Sequence, residues 1–319
     1  MQEMKKFNWQ GLSFADSDGD HPFVPALCCF FYFSAGVHEV AGKLAEGVEH
    51  YVKFVGLDVL QSYAARSGNW KPLTKRQFSK DLEHLRDFPK DHVGVRIEYD
   101  SGEGGEPGEF GIYVETYEDD EDYRDRASEL RVDFPPQWFE TQDVEAFIDF
   151  VCTMVQLDSL QSAHIGYTFK STSGSADDAF DVVHKWLHRY LGFSPCDFDL
   201  RDEMLGHTFT AHWINYIDDD LASSLGGLDA IADALPECDV RKLSKGVLIR
   251  GAKFPPIGDI NRKAHDIGRL PEVARLLKPT RIDIEKTFFA NTDEDFDATR
   301  WIERLDDLDT RAWDNTDAL

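Results

Sequence analysis

The chain is 319 residues long, 42% hydrophobic and 13% aromatic, which excludes disorder as its resting state. Its 60 Asp and Glu outweigh 34 Lys and Arg, giving a formal charge of −26. That surplus repels nucleic acid and anionic lipid surfaces and attracts a basic protein, so direct DNA, RNA or membrane binding is excluded as the expected function.

The opening "MQEMKKFNWQGLSF" lacks the apolar core of a signal peptide, and the apolar stretch 22–33 is too short to span a bilayer. Cys28, Cys29, Cys152, Cys196 and Cys238 are odd in number and form no CxxC pair. They read as thiols of a reducing compartment rather than a disulfide framework or zinc knuckle, and the expected location is cytoplasmic. No cofactor is expected.

In chain order, "CCFFYF" (28–33) reads as a central strand. Val37, Val40, Ala41, Leu44, Val48, Tyr51, Val52 and Val55 follow at helical spacing, stopped by Gly56, with His38, Glu39, Lys43, Glu46 and Lys53 on the other face. "HVGVRIEY" alternates, placing Val93, Val95, Ile97 and Tyr99 on one side. The turn-rich "DSGEGGEPGE" and the alternating "FGIYVET" then complete a hairpin. After a charged bulge "LRVDF" returns, closed by Pro135 and Pro136. A helix is predicted over 143–156, with Phe147, Ile148, Val151 and Val155 in its stripe, and a strand at "AHIGYTFK". Ser175 is placed to cap a helix with Asp177 and Asp178 in its first turn and Val183 and Leu187 in its stripe. "TFTAHWINYI" reads as a strand, "DDDLASSLGG" as a short helix with a glycine stop, "GVLIRG" as a strand and "LPEVARLL" as a helix.

The mixture of hairpins and amphipathic helices predicts an α+β fold, with mixed or antiparallel sheets and a pseudo-repeat of two similar halves. No linker divides the chain. We expect one compact domain over 1–319, with halves near 1–160 and 161–290 and an acidic segment 291–319.

Catalytic patterns are weak. His184 and His188 stand at i, i+4, but the HExxH glutamate is missing and His184 falls on an apolar stripe, which favours a core histidine. His207 and His212 fall on opposite faces of the expected strand and cannot chelate together. "DSDGD" (16–20) begins like a calcium loop but has Leu27 at the twelfth position, and it reads as a turn. No nucleophile elbow, phosphate loop or dinucleotide fingerprint occurs.

Charge is uneven. Residues 241–286 hold twelve bases and five acids, while the last 29 residues hold ten acids and three bases, which predicts a polarised surface. The stretch 114–129 carries eight carboxylates and two arginines. Its core, Tyr117, Glu118, Asp119, Asp120, Glu121, Asp122 and Tyr123, interleaves aromatic anchors with carboxylates that steer, and Asp218, Asp219 and Asp220 form a second run. The bland reading of both is a solvated loop; the functional reading is a partner-binding surface. "DEDFD" (293–297) invites the same pair of readings.

"DFPPQWF" (133–139), "AHIGYTF" (163–169), "WINYIDDDLASSLGG" (213–227), "GVLIRGAKFPPIGDINR" (246–262) and "LPEVARLLKP" (270–279) occur in that order. The pattern resembles the TsiV-like bacterial type VI secretion immunity family. The resemblance implies a non-enzymatic cytoplasmic immunity protein that neutralises a cognate secreted toxin, several such toxins being nucleases, and it carries no active-site residues. Such a toxin holds a polyanion and keeps a basic cleft, which an acidic inhibitor can plug or shadow. A homodimer is left open. Two other readings stand beside this one: a metal-dependent intracellular hydrolase built on Asp and His, and an adaptor or chaperone for a basic effector.

Overall fold

The computed structural model describes residues 7–12, 23–117, 126–172, 180–195, 200–261, 267–286, 297–306 and 308. The first half runs β1 (Val24–Phe33), α1 (Val37–Val55), β2 (Ser62–Ala64), β3 (Trp70–Pro72), α2 (Lys75–Arg86), β4 (Gly94–Asp100), β5 (Gly111–Tyr117), β6 (Ser128–Phe134) and α3 (Val144–Met154). The second runs β7 (Leu160–Lys170), α4 (Phe180–Arg189), β8 (Phe193–Pro195), β9 (Ile214–Asp218), α5 (Asp219–Ser224), α6 (Gly227–Ala234), β10 (Asp239–Leu243), β11 (Gly246–Arg250), α7 (Leu270–Leu277) and α8 (Ala298–Ile302).

The fold is α+β. One sheet runs β10-β11-β9-β7-β1-β6-β5-β4-β2-β3, antiparallel at every step, and β8 adds a short parallel pairing to β7. The uninterrupted bulky run of β1 explains its central place, because every residue after Val24 is buried. The two halves flank the β1–β7 pair but are wired differently. In the first half the last strand, β6, returns beside β1; in the second the next long strand, β9, lies beside β7.

One face of the sheet is apolar and carries α1 and α3. The predicted α1 stripe is buried from Val37 to Tyr51, with Val52 and Val55 half-buried, and Gly56 ends the helix at φ 93°. A Cβ on Gly47 would stand 2.5 Å from Leu130 of β6, so glycine sets how closely α1 approaches the sheet. Tyr51 donates to the Asp133 carbonyl, and Phe134 packs edge-on against Phe147 and Phe150. Asp143 caps α3 by accepting from the Ala146 N–H at 2.9 Å, a bond worth about 1 kcal/mol.

The opposite face is buried and ionic. Lys170 lies 2.7 Å from Asp100 and 3.2 Å from Asp133, and Arg131 lies 3.2 Å from Asp133. Burial alone would raise the Asp133 carboxyl, yet Arg131 and Lys170 hold it below its ordinary value. Burial opposes the Lys170 ammonium in turn, and Asp100 and Asp133 overcome that opposition.

Three expectations need correction. The strand expected from "TFTAHWINYI" starts only at Ile214. Upstream, the His212 N–H donates to Asn215 Oδ1 and the Asn215 side chain donates back to the His212 carbonyl, a local loop that replaces ladder bonds. His207 and His212 are therefore not on a strand at all: His207 is exposed, and His212 is buried against His164. Val93 lies outside β4, 63% exposed, after a turn in which the His92 N–H donates to the Pro89 carbonyl. The elements β2, β3, α2, β8, α6, β10 and α8 escaped the sequence reading. The expected cap at Ser175, Asp177 and Asp178, the "DSDGD" turn and Cys196 lie outside the described residues.

Candidate partner-binding surface

Asp218 ends β9 and caps α5, its Oδ1 accepting from the Leu221 N–H at 2.9 Å. Burial, reinforced by Asp220 and Asp219, raises its carboxyl above the ordinary range. Asp219 and Asp220 stand exposed in the first turn, where the helix dipole favours acids. Leu221 and Ala222 anchor the helix to a cluster with Ile231, Val247 and Ile249. Gly226 and Gly227, at φ 95° and 83°, turn the chain from α5 into α6. This second helix buries Ile231 and exposes Asp229 and Asp233.

The sequence contains no lysine or arginine between Arg201 and Arg241. Asp219, Asp220, Asp229 and Asp233 thus share a small two-helix projection with no base of its own. Asp229 and Asp233 belong to no acidic run in the sequence. The signal that finds them is the 39-residue absence of bases, not the local density of acids.

The first predicted run is placed in part. Tyr117 is the last residue of β5, paired opposite Gly94, and Glu118, Asp119, Asp120, Glu121, Asp122 and Tyr123 lie outside the described residues. The root of the run is buried. Glu115 and Glu129 are cross-strand partners, Arg201 lies 2.6 Å from Glu115, and Thr116 bonds Ser128. Two of the eight carboxylates counted in 114–129 therefore belong to the interior. Arg126 pairs with Asp202 at 3.2 Å.

The register relates the two runs. Ile217, Ser162, Tyr32, Glu129 and Glu115 form one row across β9, β7, β1, β6 and β5. Asp218 and Tyr117 lie just beyond that row, so both acidic segments leave the same end of the sheet. Four strand spacings separate them, about 19 Å.

Six described bases of the stretch 241–286 pair with acids, Arg269 with Glu272 among them, while Lys242 and Lys253 are exposed with no ion pair among the described residues. Arg250 lies 2.9 Å from Glu145, Arg241 2.6 Å from Asp239, Arg281 2.7 Å from Asp306 and Lys278 3.0 Å from Glu303, while Lys245 pairs with Asp158. These residues tie the second half to α3 and to the segment around α8. Asp297, the one described residue of "DEDFD", caps α8.

Among the described residues the histidines join no metal-binding cluster. His184 is buried with Val183 and Leu187 on α4, and His188 is half-buried on the same helix. Among the described residues no three His, Cys, Asp or Glu side chains gather as a metal site, and no helix is long and apolar enough to cross a membrane.

The family described as "TsiV: Type VI immunity for VRR-NUC" matches residues 43–305. A solved structure titled "Pseudomonas aeruginosa T6SS protein PA0821" is similar over 92% of this chain and 85% of its own, with TM-score 0.75 and 16% identity, a likeness of fold. No curated protein matches the sequence.

Proposed function

The chain belongs to the TsiV family of type VI immunity proteins, and from that premise we propose that it neutralises a cognate secreted nuclease by presenting carboxylates to the nuclease's basic cleft. The family's description names VRR-NUC as what is countered, and a nuclease must keep a positive surface for its polyanionic substrate. The observation that carries the reading is the base-free projection of α5 and α6, with Asp219, Asp220, Asp229 and Asp233 exposed together. The run Tyr117 to Tyr123, rooted at the same end of the sheet, contributes a second arm of the same sign. The protein acts stoichiometrically in the cytoplasm as one compact unit, without catalysis. Aspartates steer the encounter, and burial around them slows release.

Co-expression with the cognate nuclease should rescue growth and yield a complex that survives purification. Reversing Asp219, Asp220, Asp229 and Asp233 to Lys should slow association by roughly tenfold or more and flatten its dependence on salt. Reversing Asp119, Asp120 and Glu121 tests the second arm in the same assay. On-rates that stay unchanged in both variants across ionic strengths would sink the proposal.

A further inference from the structure

Although the protein is strongly acidic, residues 66–96 contain eight bases and four acids. Arg66, Lys71, Lys75, Arg76, Lys80 and Lys90 are all exposed, and among the described residues none of the six has an ion pair. Arg86 pairs with Glu49, and Arg96 reaches Glu98 only at 3.8 Å. Two of these bases, Arg66 and Arg96, line an open cleft of about 580 Å³.

One wall of the cleft is the turn after β2, held by the Ala65 N–H donating to the Asn69 carbonyl and by Gly68 at φ 81°, which brings Arg66 to the rim. The other wall is the first part of β4, with His92, Gly94, Val95, Arg96 and Glu98, a carboxylate that is almost fully buried and lies 3.8 Å from Arg96. β2 pairs with β4 only at Tyr99 and Asp100, so residues 94–97 have β5 on one side and no strand on the other among the described residues. The Asp100 carbonyl accepts from the Gln61 N–H on the β2 side. By the two-residue period of a strand, Arg96 and Gly94 aim their main-chain groups the same way, into the cleft.

We propose that this cleft binds an extended acidic segment of a partner protein, which adds as a strand to residues 94–97 while Arg66, His92 and Arg96 take its carboxylates. The small walls at Ala64, Ala65, Gly68 and Gly94 leave room for a main chain, and main-chain bonding supplies affinity in this mode of recognition. A strand edge is what distinguishes a peptide site from a site for a polyphosphate, which needs only the bases. The site lies on a different surface from the aspartates of α5 and α6 and stands without them.

The test uses the full chain and a short labelled peptide of alternating glutamate and valine, followed by fluorescence anisotropy at low and moderate salt. Saturable binding is expected, weakened by roughly tenfold or more in the double variant Arg66→Glu, Arg96→Glu. Gly94→Pro, which removes an outward-facing N–H and leaves the β5 ladder, should weaken it comparably, with circular dichroism confirming the fold of each variant. Four results would overturn the proposal: no binding at low salt; equal binding by Gly94→Pro and the parent; tighter binding of a single-stranded oligonucleotide than of the peptide; or tighter peptide binding after serine replaces Asp119, Asp120 and Glu121, which would make this chain's own acidic run the occupant.

Discussion

Residues 241–281 and residues 66–96 are both rich in bases, yet six of the nine described bases in the first pair with acids while six of the eight in the second are exposed without an ion pair among the described residues. Arg281 illustrates the first. It makes a two-pronged contact with Asp306 at 2.7 and 2.9 Å and donates to the Ala274 carbonyl, with both side chains nearly buried. Lys80 illustrates the second, on the exposed face of α2 with no ion pair among the described residues. Local charge density is thus a poor guide to surface potential. What decides the potential is whether the fold brings a counter-charge from a distant part of the chain, as it brings Asp306 to Arg281.

The comparison is broken most severely by removing a cation that has no access to water. Lys170→Met leaves the buried Asp100 without its cation and Asp133 with Arg131 alone, a loss of compensation that costs about 3–5 kcal/mol. Urea unfolding of this variant should show that loss at neutral pH. A loss under 1 kcal/mol would mean that the pair is solvated in solution.

The histidines follow the same division between interior and surface, and pH separates them. His164 and His212 stack at 4.4 Å in the interior, and neither ring nitrogen of His164 has a hydrogen-bond partner among the described residues. Burial pushes His164 well below its ordinary value, with His212 adding to the effect. Burial, opposed by the bond to the Thr210 carbonyl and helped by Arg304, takes His212 down to about 3. Both rings stay neutral in the folded state, while the unfolded chain takes up protons below about pH 6.5. Their contribution to stability is therefore complete above that value and declines as pH falls toward the folded values. By about pH 5.5 the two rings together should remove about 2–3 kcal/mol, and His164→Phe should abolish about half of that loss.

A clamp of intermediate exposure should give an intermediate effect. Arg281→Ala leaves Asp306 with Lys278 at 3.0 Å and should cost about 2 kcal/mol. Burial raises the Asp306 carboxyl, but Arg281 and then Lys278 overcome it and hold it low, so the clamp weakens as pH falls through the acid range. A difference between parent and variant that persists undiminished at low pH would contradict an ionic clamp.

Much of this organisation was legible in the sequence. The apolar run of β1, the helical stripe of α1, the β4–β5 hairpin and the paired prolines after β6 each follow from period or turn chemistry that acts within a few residues. β2, β3 and β10 were not, because short strands at or beside the edges of the sheet carry too few residues to show alternation. The region Thr208 to Trp213 looked like a strand because its residues are apolar and β-branched, and the His212–Asn215 loop overrode that preference. Asp218 to Asp220 were visible as a run. Asp229 and Asp233 were not, since helical spacing and a tight glycine turn assemble them. The cationic region 66–96 was invisible as a surface until the pairing of 241–281 removed its rival.

The smallest expected effect carries the opposite sign. Lys75 and Arg76 occupy the first turn of α2, just after Thr74, whose hydroxyl accepts from the Gln77 N–H at 3.1 Å. That turn holds no acid, so two bases sit against the positive end of the helix dipole. Lys75→Glu and Arg76→Glu should each stabilise the fold by about 0.3–1 kcal/mol, readable as a rise in urea midpoint with an unchanged slope. The same pair of changes lowers the positive potential around the β2–β4 cleft. A variant more stable than the parent and weaker for the acidic peptide would show these bases held in place against the preference of their own helix. Destabilisation instead would mean that Lys75 and Arg76 make favourable contacts in solution, placing them with the clamped set and removing the contrast between the two regions.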